Sequence, residues 1–340
     1  MGAEIPAHFD PAATSRVFRV PYAERADEAR RFAQAHGIAP AAADRRRVGL
    51  LLVDVQNTFC LPEFELFVAG RSGSGAVDDN ARLCAFLYRN LGAITEVIAT
   101  LDTHSPVQIF HPIFWVDEAG QHPSPHTTVT ARDVESGRWR VNPLVAAALP
   151  ALLPDAQAYA RHYVTRLEEG GKFPLTIWPY HALLGGLGHA LVSAVEEAVF
   201  FHQVARTAPA RFVTKGQCPL TENYSALAPE VDVGLDGRSL VGRDQALIDH
   251  LLEFDLLVVA GQAKSHCVAW TVADLLAEIQ RRDPGRAGRI RLLDDCSSAV
   301  CVPGVVDYTS AADAAYRRFA EAGMRVVSST ALGEELRPPL

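Results

Sequence analysis

The sequence has no basic excess. Thirty-two Lys and Arg stand against forty Asp and Glu, a net charge of −8 and a pI near 5.8. A protein that grips nucleic acid through its phosphates needs a basic face, so that class is excluded. Apolar runs of the ~18 residues that a membrane-crossing helix requires are also missing. The richest stretch, 190–201, is broken by Glu196 and Glu197. The opening segment MGAEIPAHFDPAA has neither a basic n-region nor an apolar h-region, so no secretory leader is expected. The six cysteines show no framework spacing, which fits a reducing compartment. C-x-x-C does not occur, and Cys296 with Cys301 reads as a pair of ordinary core or loop thiols. Internal repeats are absent, as are low-complexity tracts beyond alanine-rich patches. These absences leave a cytoplasmic enzyme or binding domain, with neither nucleic acid nor membrane as partner.

What is present is an ordinary globular composition, 49% apolar and 21% charged over 340 residues, enough for one large α/β domain or two small ones. The first 47 residues read as an N-terminal extension, with a helix over 22–36 stopped by Gly37 and a basic triplet at 45–47 leading into a strand. From there strand and helix signals alternate. VGLLLVDV at 48–55 is a continuous apolar run ending in an acid, as a strand buried on both faces would be. Further strands are expected over 96–101, 211–214, 255–260, 289–293 and 324–327. Helices are expected over 78–91, 187–204, 243–253, 266–281 and 310–321. Such alternation implies βαβ units: an α/β fold with a central parallel sheet between two helical layers. Between 112 and 174 the rhythm fails, with only short helices near 142–153 and 159–167. This stretch reads as a long insertion able to cover the sheet's edge or mouth, within one domain over 48–340.

Ligands of open parallel sheets bind beyond the carboxyl ends of the strands, and reactive side chains stand there. Asp54 follows the first strand, Asp102 and His104 the second, Lys215 the third, and Cys267 opens the helix after DLLVVAG. A cysteine at a helix N-terminus lies in positive potential that favours thiolate. A lysine adds to that field, and a carboxylate can take the thiol proton. Asp102 and His104, two residues apart, would point the same way from an extended chain. With His181 they form an Asp-His-His set suited to zinc, iron or manganese. His111, His122 and His126 are further candidates with weaker support.

Five segments then resemble the nicotinamidase branch of the isochorismatase-like cysteine hydrolases: LLLVDVQNTF at 50–59, ATLDTHSP at 99–106, IWPYH at 177–181, FVTKGQCPLTENYSAL at 212–227 and VVAGQAKSHCVAWTVADL at 258–275. They occur in the order of that family and span most of the chain from 48 to about 330. The resemblance implies Asp54 as general base, Lys215 as its charge partner and Cys267 as nucleophile. It implies a cis peptide at Gln262–Ala263, with the N–H groups of Ala263 and Cys267 forming the oxyanion hole. Asp102, His104 and His181 match the ligands of one divalent metal ion, zinc first, then iron or manganese, which docks a pyridine nitrogen. Phe59, Trp178 and Tyr224 match positions around a flat aromatic ring.

The implied activity is hydrolysis of a small aromatic carboxamide to acid and ammonia, by an enzyme that assembles as a homo-oligomer. Three departures bear on the substrate. Gln262 replaces a small apolar residue and is expected to bring an amide to the pocket wall. Ala182 to Leu184 replace the familiar residues after the histidine, and the interval from Asp54 to Lys215 is long. The alternatives are another hydrolase of the superfamily, acting on N-carbamoyl, maleamate-type or isochorismate substrates, and a non-catalytic ligand-binding relative. The metal set weighs against the first and the intact Asp54, Lys215 and Cys267 against the second.

Overall fold

The computed structural model describes residues 4–170, 173–332 and 335–336. Of the segments assigned above, residues 1–3, 171–172, 333–334 and 337–340 lie outside it. Six strands, β1 (Val48–Val53), β2 (Glu96–Asp102), β3 (Arg211–Lys215), β4 (Leu256–Gly261), β5 (Ile290–Leu293) and β6 (Arg325–Val327), form one sheet in the order β6-β5-β4-β1-β2-β3. Every pairing in it is parallel. The apolar run at β1 is explained by burial on both faces. Leu51 and Val53 enter one core, while Val48, Leu50 and Leu52 enter the other.

The first core is closed by α3 (Ala156–Glu169), α5 (Gln245–Leu252), α6 (Ala269–Arg282) and α7 (Thr309–Glu321), through residues such as Tyr163, Ile248, Val272 and Phe319. The second is closed by α2 (Gly75–Arg89) and α4 (Ser193–Arg206), through Leu83, Phe86, Val195 and Val199. The result is the expected three-layer α/β/α arrangement. The helix α1 (Tyr22–Ala35) lies outside α4, where Arg25 donates to Glu197 at 2.7 Å and Tyr22 to Glu196. Ahead of it, His8 meets Tyr88 of α2 at 3.0 Å.

The fourth helix starts at Ser193, six residues later than its apolar pattern suggests, and 187–189 form a short 3₁₀ turn. The backbone there is committed elsewhere: Asn57 donates to the carbonyls of Leu187 and Ala190, and Gln56 to that of His189. Within 112–174 the structure has helices at Ala131–Glu135, Pro143–Ala148 and Ala156–Glu169 and short two-stranded pairings. This segment packs into the first core and reaches the mouth of the sheet, where Phe173 stacks on His266 with ring centroids 4.5 Å apart.

Candidate active site

The register of the sheet assembles the site. Asp102 and Lys215 are direct partners at the ends of β2 and β3, and Val53 faces Gly261 where β1 and β4 end. Gly261 must be glycine: its φ is +124° and a Cβ would lie 2.1 Å from the carbonyl oxygen of Val53. One residue beyond β1, Asp54 turns out of the strand at φ +48°, a left-handed conformation that Asp tolerates better than most residues. Thr100 of β2 fixes it, donating to Asp54 Oδ1 at 2.6 Å and accepting the Asp54 N–H at 3.1 Å.

Lys215 is the hub. Its Nζ lies 3.0 Å from Asp54 Oδ2, 2.9 Å from Asp102 Oδ1, 2.7 Å from the carbonyl of Asn223 and 3.7 Å from Cys267 Sγ. Burial opposes its charge, but the two carboxylates outweigh that and raise its pKa well above the ordinary lysine value. Cys267 sits in a π-helical turn, Lys264–Val268, just ahead of α6 rather than in the helix proper. Burial drives its thiol well above the usual range, with Lys215 pulling it down and Asp54 pushing it up. Burial thus works against the thiolate that the helix-end field would favour. Burial also raises the Asp54 carboxyl, against the pull of Lys215. The peptide Gln262–Ala263 is cis.

On the other side of Lys215 stand Asp102, His104 and His181, whose donor atoms all lie within 4.8 Å of one another. His104 Nδ1 donates to the carbonyl of Gly216 at 3.0 Å and His181 Nδ1 to that of Pro179 at 2.8 Å. Both rings thereby turn Nε2 toward Asp102 Oδ2, at 2.9 and 3.8 Å. Burial works against the Asp102 carboxylate, yet His104 and Lys215 hold its pKa well below the normal range. One carboxylate and two imidazoles, each ring anchored through its far nitrogen, match the donor set of a divalent transition-metal site, where bound rings would be neutral. His111, His122 and His126 stand outside this group. His111 Nδ1 donates to the carbonyls of Ser105 and Pro106, His122 bonds the carbonyl of Trp115, and His126 lies against Trp178.

A cavity of about 230 Å³ connects the two constellations. Asp102, His104, His181, Ala263 and Cys267 open onto it, as do Phe59, Trp178 and Tyr224. Asp54 and Lys215 lie behind Cys267, away from it. One expectation fails. Gln262 does not line the cavity: it is fully buried, its Nε2 donates to Asp79 Oδ2 at 2.8 Å, and its Oε1 accepts the N–H of Ser298 at 3.2 Å. Its polarity is consumed inside the protein.

Other lining residues escaped the sequence reading. Glu222 accepts from Trp178 Nε1 at 2.7 Å, and burial, reinforced by Glu230, raises its carboxyl well above the ordinary range. An acid between Leu220 and Leu227, inside a stretch that reads as core, was the available signal. His266 contributes a ring held by Phe173, with burial lowering its pKa to about 3. Val302 and Val306 come from a small hairpin whose turn signal, Pro303-Gly304, lay outside every matched segment.

No family model matches the sequence. The chain is 35% identical over 106 residues to a curated nicotinamidase of Escherichia coli (strain K12), a match covering 30% of this chain and 41% of that one. Among solved structures it is similar to the nicotinamidase/pyrazinamidase of Acinetobacter baumannii, with a TM-score of 0.50, 19% identity, and 85% and 99% of the two chains covered. The yeast nicotinamidase gives a TM-score of 0.49 at 17% identity, with 82% and 99% covered. The fold is the isochorismatase-like α/β fold.

Proposed function

We propose that this chain is a metal-assisted cysteine amidohydrolase that resembles the nicotinamidases and converts a small aromatic carboxamide to its acid and ammonia. The observation that carries the reading is the position of Lys215 Nζ, in contact at once with Asp54, Asp102 and Cys267 Sγ. A binding module has no use for a buried ammonium that ties a thiol and its base to a ligand set.

In this reading Asp54 takes the thiol proton as Cys267 attacks the carboxamide carbon, and Lys215 stabilises the charge that passes between them. The N–H groups of Ala263 and Cys267 receive the developing oxyanion. Asp54 returns the proton to the departing ammonia, and water then hydrolyses the thioester on Cys267. Phe59, Trp178 and Tyr224 sandwich the ring of the substrate. Asp102, His104 and His181 would hold a divalent ion, zinc first, iron or manganese next, whose Lewis acidity offers a docking point for a ring nitrogen.

Six free cysteines support a reducing, cytoplasmic setting, and no helix of the described residues is long and apolar enough to cross a membrane. Self-association into a homo-oligomer is part of the same proposal, read by sedimentation. The test of function is ammonia release from nicotinamide and pyrazinamide by zinc-loaded protein. Turnover that stops on chelation and is absent from Cys267→Ala, with the zinc content of that variant intact, supports the reading. No ammonia from either amide refutes it.

A further inference from the structure

Gln262 has a different task from the one its sequence position suggests. Its backbone N–H is held by the carbonyl of Val53 at 2.8 Å, at the end of β1. Its amide is held at both ends, by Asp79 of α2 and by the N–H of Ser298. Asp79 is itself fixed by Arg82 at 2.8 Å. The loop around Ser298 grips the nucleophile turn a second and third time: the N–H of Lys264 donates to the carbonyl of Ser298 at 2.8 Å, and that of Val300 to Ser265 Oγ at 3.1 Å. That loop has little room to shift toward α2, since a Cβ on Gly75 would lie 2.6 Å from Ser298 Oγ.

A buried amide with both its oxygen and its nitrogen engaged has one orientation. We propose that Gln262 and Asp79 are positioning residues, acting as one unit with the loop at 297–300 to hold the backbone from Ala263 to Cys267 in the geometry that receives the oxyanion of an attacked carbonyl. The inference rests on Cys267 being an acylated nucleophile, and it needs no particular amide. A leucine at 262 would fill the same space and orient nothing. Misplacement of such a backbone by ~1 Å is enough to cost on the order of 100-fold in rate.

The experiment compares two reactions at Cys267, followed by mass spectrometry with Cys267→Ala as the blank. In acylation by p-nitrophenyl acetate, sulfur adds to the ester carbonyl, the thiol proton passes to Asp54, and p-nitrophenolate leaves to give an acetyl thioester. In alkylation by iodoacetamide, sulfur displaces iodide as the thiol proton passes to Asp54, and no oxyanion forms. Gln262→Leu and Asp79→Leu are each expected to lower the ratio of acylation to alkylation about tenfold or more, and the double variant no further than either single one. Asp79→Asn, which keeps an acceptor for Gln262, stays near the wild-type ratio.

A purely structural role would lower the denaturation midpoint and leave the ratio unchanged, which would overturn the proposal. Should Gln262→Leu fail to fold, Gln262→Met, closer in shape, is read by the same ratio. Ammonia release by the wild type separates the two readings. Acylation that depends on Gln262 without release from any carboxamide would overturn the proposed function alone. Release together with an unchanged ratio would overturn this inference alone.

Discussion

Substituting Gly216 with alanine tests whether the chain is built to hold an ion at Asp102, His104 and His181. Gly216 follows Lys215 at φ +79°, and its carbonyl accepts from His104 Nδ1 at 3.0 Å and from Gln108 Nε2 at 2.6 Å. A Cβ there would lie 2.6 Å from His104 Cε1 and 2.7 Å from Asp102 Oδ1. Neither neighbour can yield cheaply, since the imidazole is tied to Gly216 and the carboxylate to Lys215. The left-handed backbone alone costs alanine about 1–2 kcal/mol. Displaced ligands should cost metal affinity a further ~10- to 100-fold, as loss of an outer-shell partner does. Gly237→Ala is the control, because Gly237 has φ +77° and nothing within 4 Å of its Cβ, so it carries the backbone cost without the clash. Zinc affinity is read by chelator competition and stability by denaturation of the metal-free proteins. If Gly216→Ala binds zinc as Gly237→Ala and the wild type do, the cradle argument is wrong.

Three further outcomes follow from buried charge. Lys215→Met leaves two buried carboxylates without their ammonium and is expected to destabilise the protein by about 3–5 kcal/mol in guanidinium titration; a loss under ~1 kcal/mol would contradict the hub role. Glu222→Gln, in contrast, replaces a carboxyl whose pKa burial raises and preserves the acceptor for Trp178. Its denaturation midpoint at pH 7 should match the wild type within about 0.5 kcal/mol, and a larger loss would mean that the charged form matters. Burial lowers His202 to about 4 from 6.5, so between those values the unfolded chain binds a proton that the folded one refuses. Stability should fall by about 3 kcal/mol as pH drops through that window, and His202→Gln, which keeps a donor for the carbonyl of Ile94, should flatten the profile.

Much of the fold was legible because the strand signals are unambiguous: a run such as VGLLLV, buried on both faces, has no competing reading, and Gly261 and Lys215 mark where strands end. The residues that converge were also legible, because they are strand-end residues and the parallel register brings them together. Side-chain direction was not. Gln262 was assigned to the pocket by its neighbours in sequence, yet its partners, Asp79 and Ser298, are 183 and 36 residues away. The start of α4 was misplaced for the same reason, as 187–191 give their backbone to Gln56 and Asn57, a long-range demand that apolar periodicity does not carry. Glu222 and the hairpin valines belong to the cavity through loop paths that no local pattern specifies.

The charge count of the site ties its two halves together. Asp54 and Asp102 are acids, Lys215 is the cation between them, and His104 spans the Gly216 carbonyl and Asp102 Oδ2 through its two ring nitrogens. Two buried carboxylates facing one ammonium call for further positive charge, which proteins supply as a proton or a bound cation. A divalent cation held by Asp102, His104 and His181 would supply it from the side of the ligand set. Lys215, bonded to both acids and 3.7 Å from Cys267 Sγ, couples that position to the thiol, so in the proposed reading the ligand set bears on the nucleophile even though the two face different parts of the substrate.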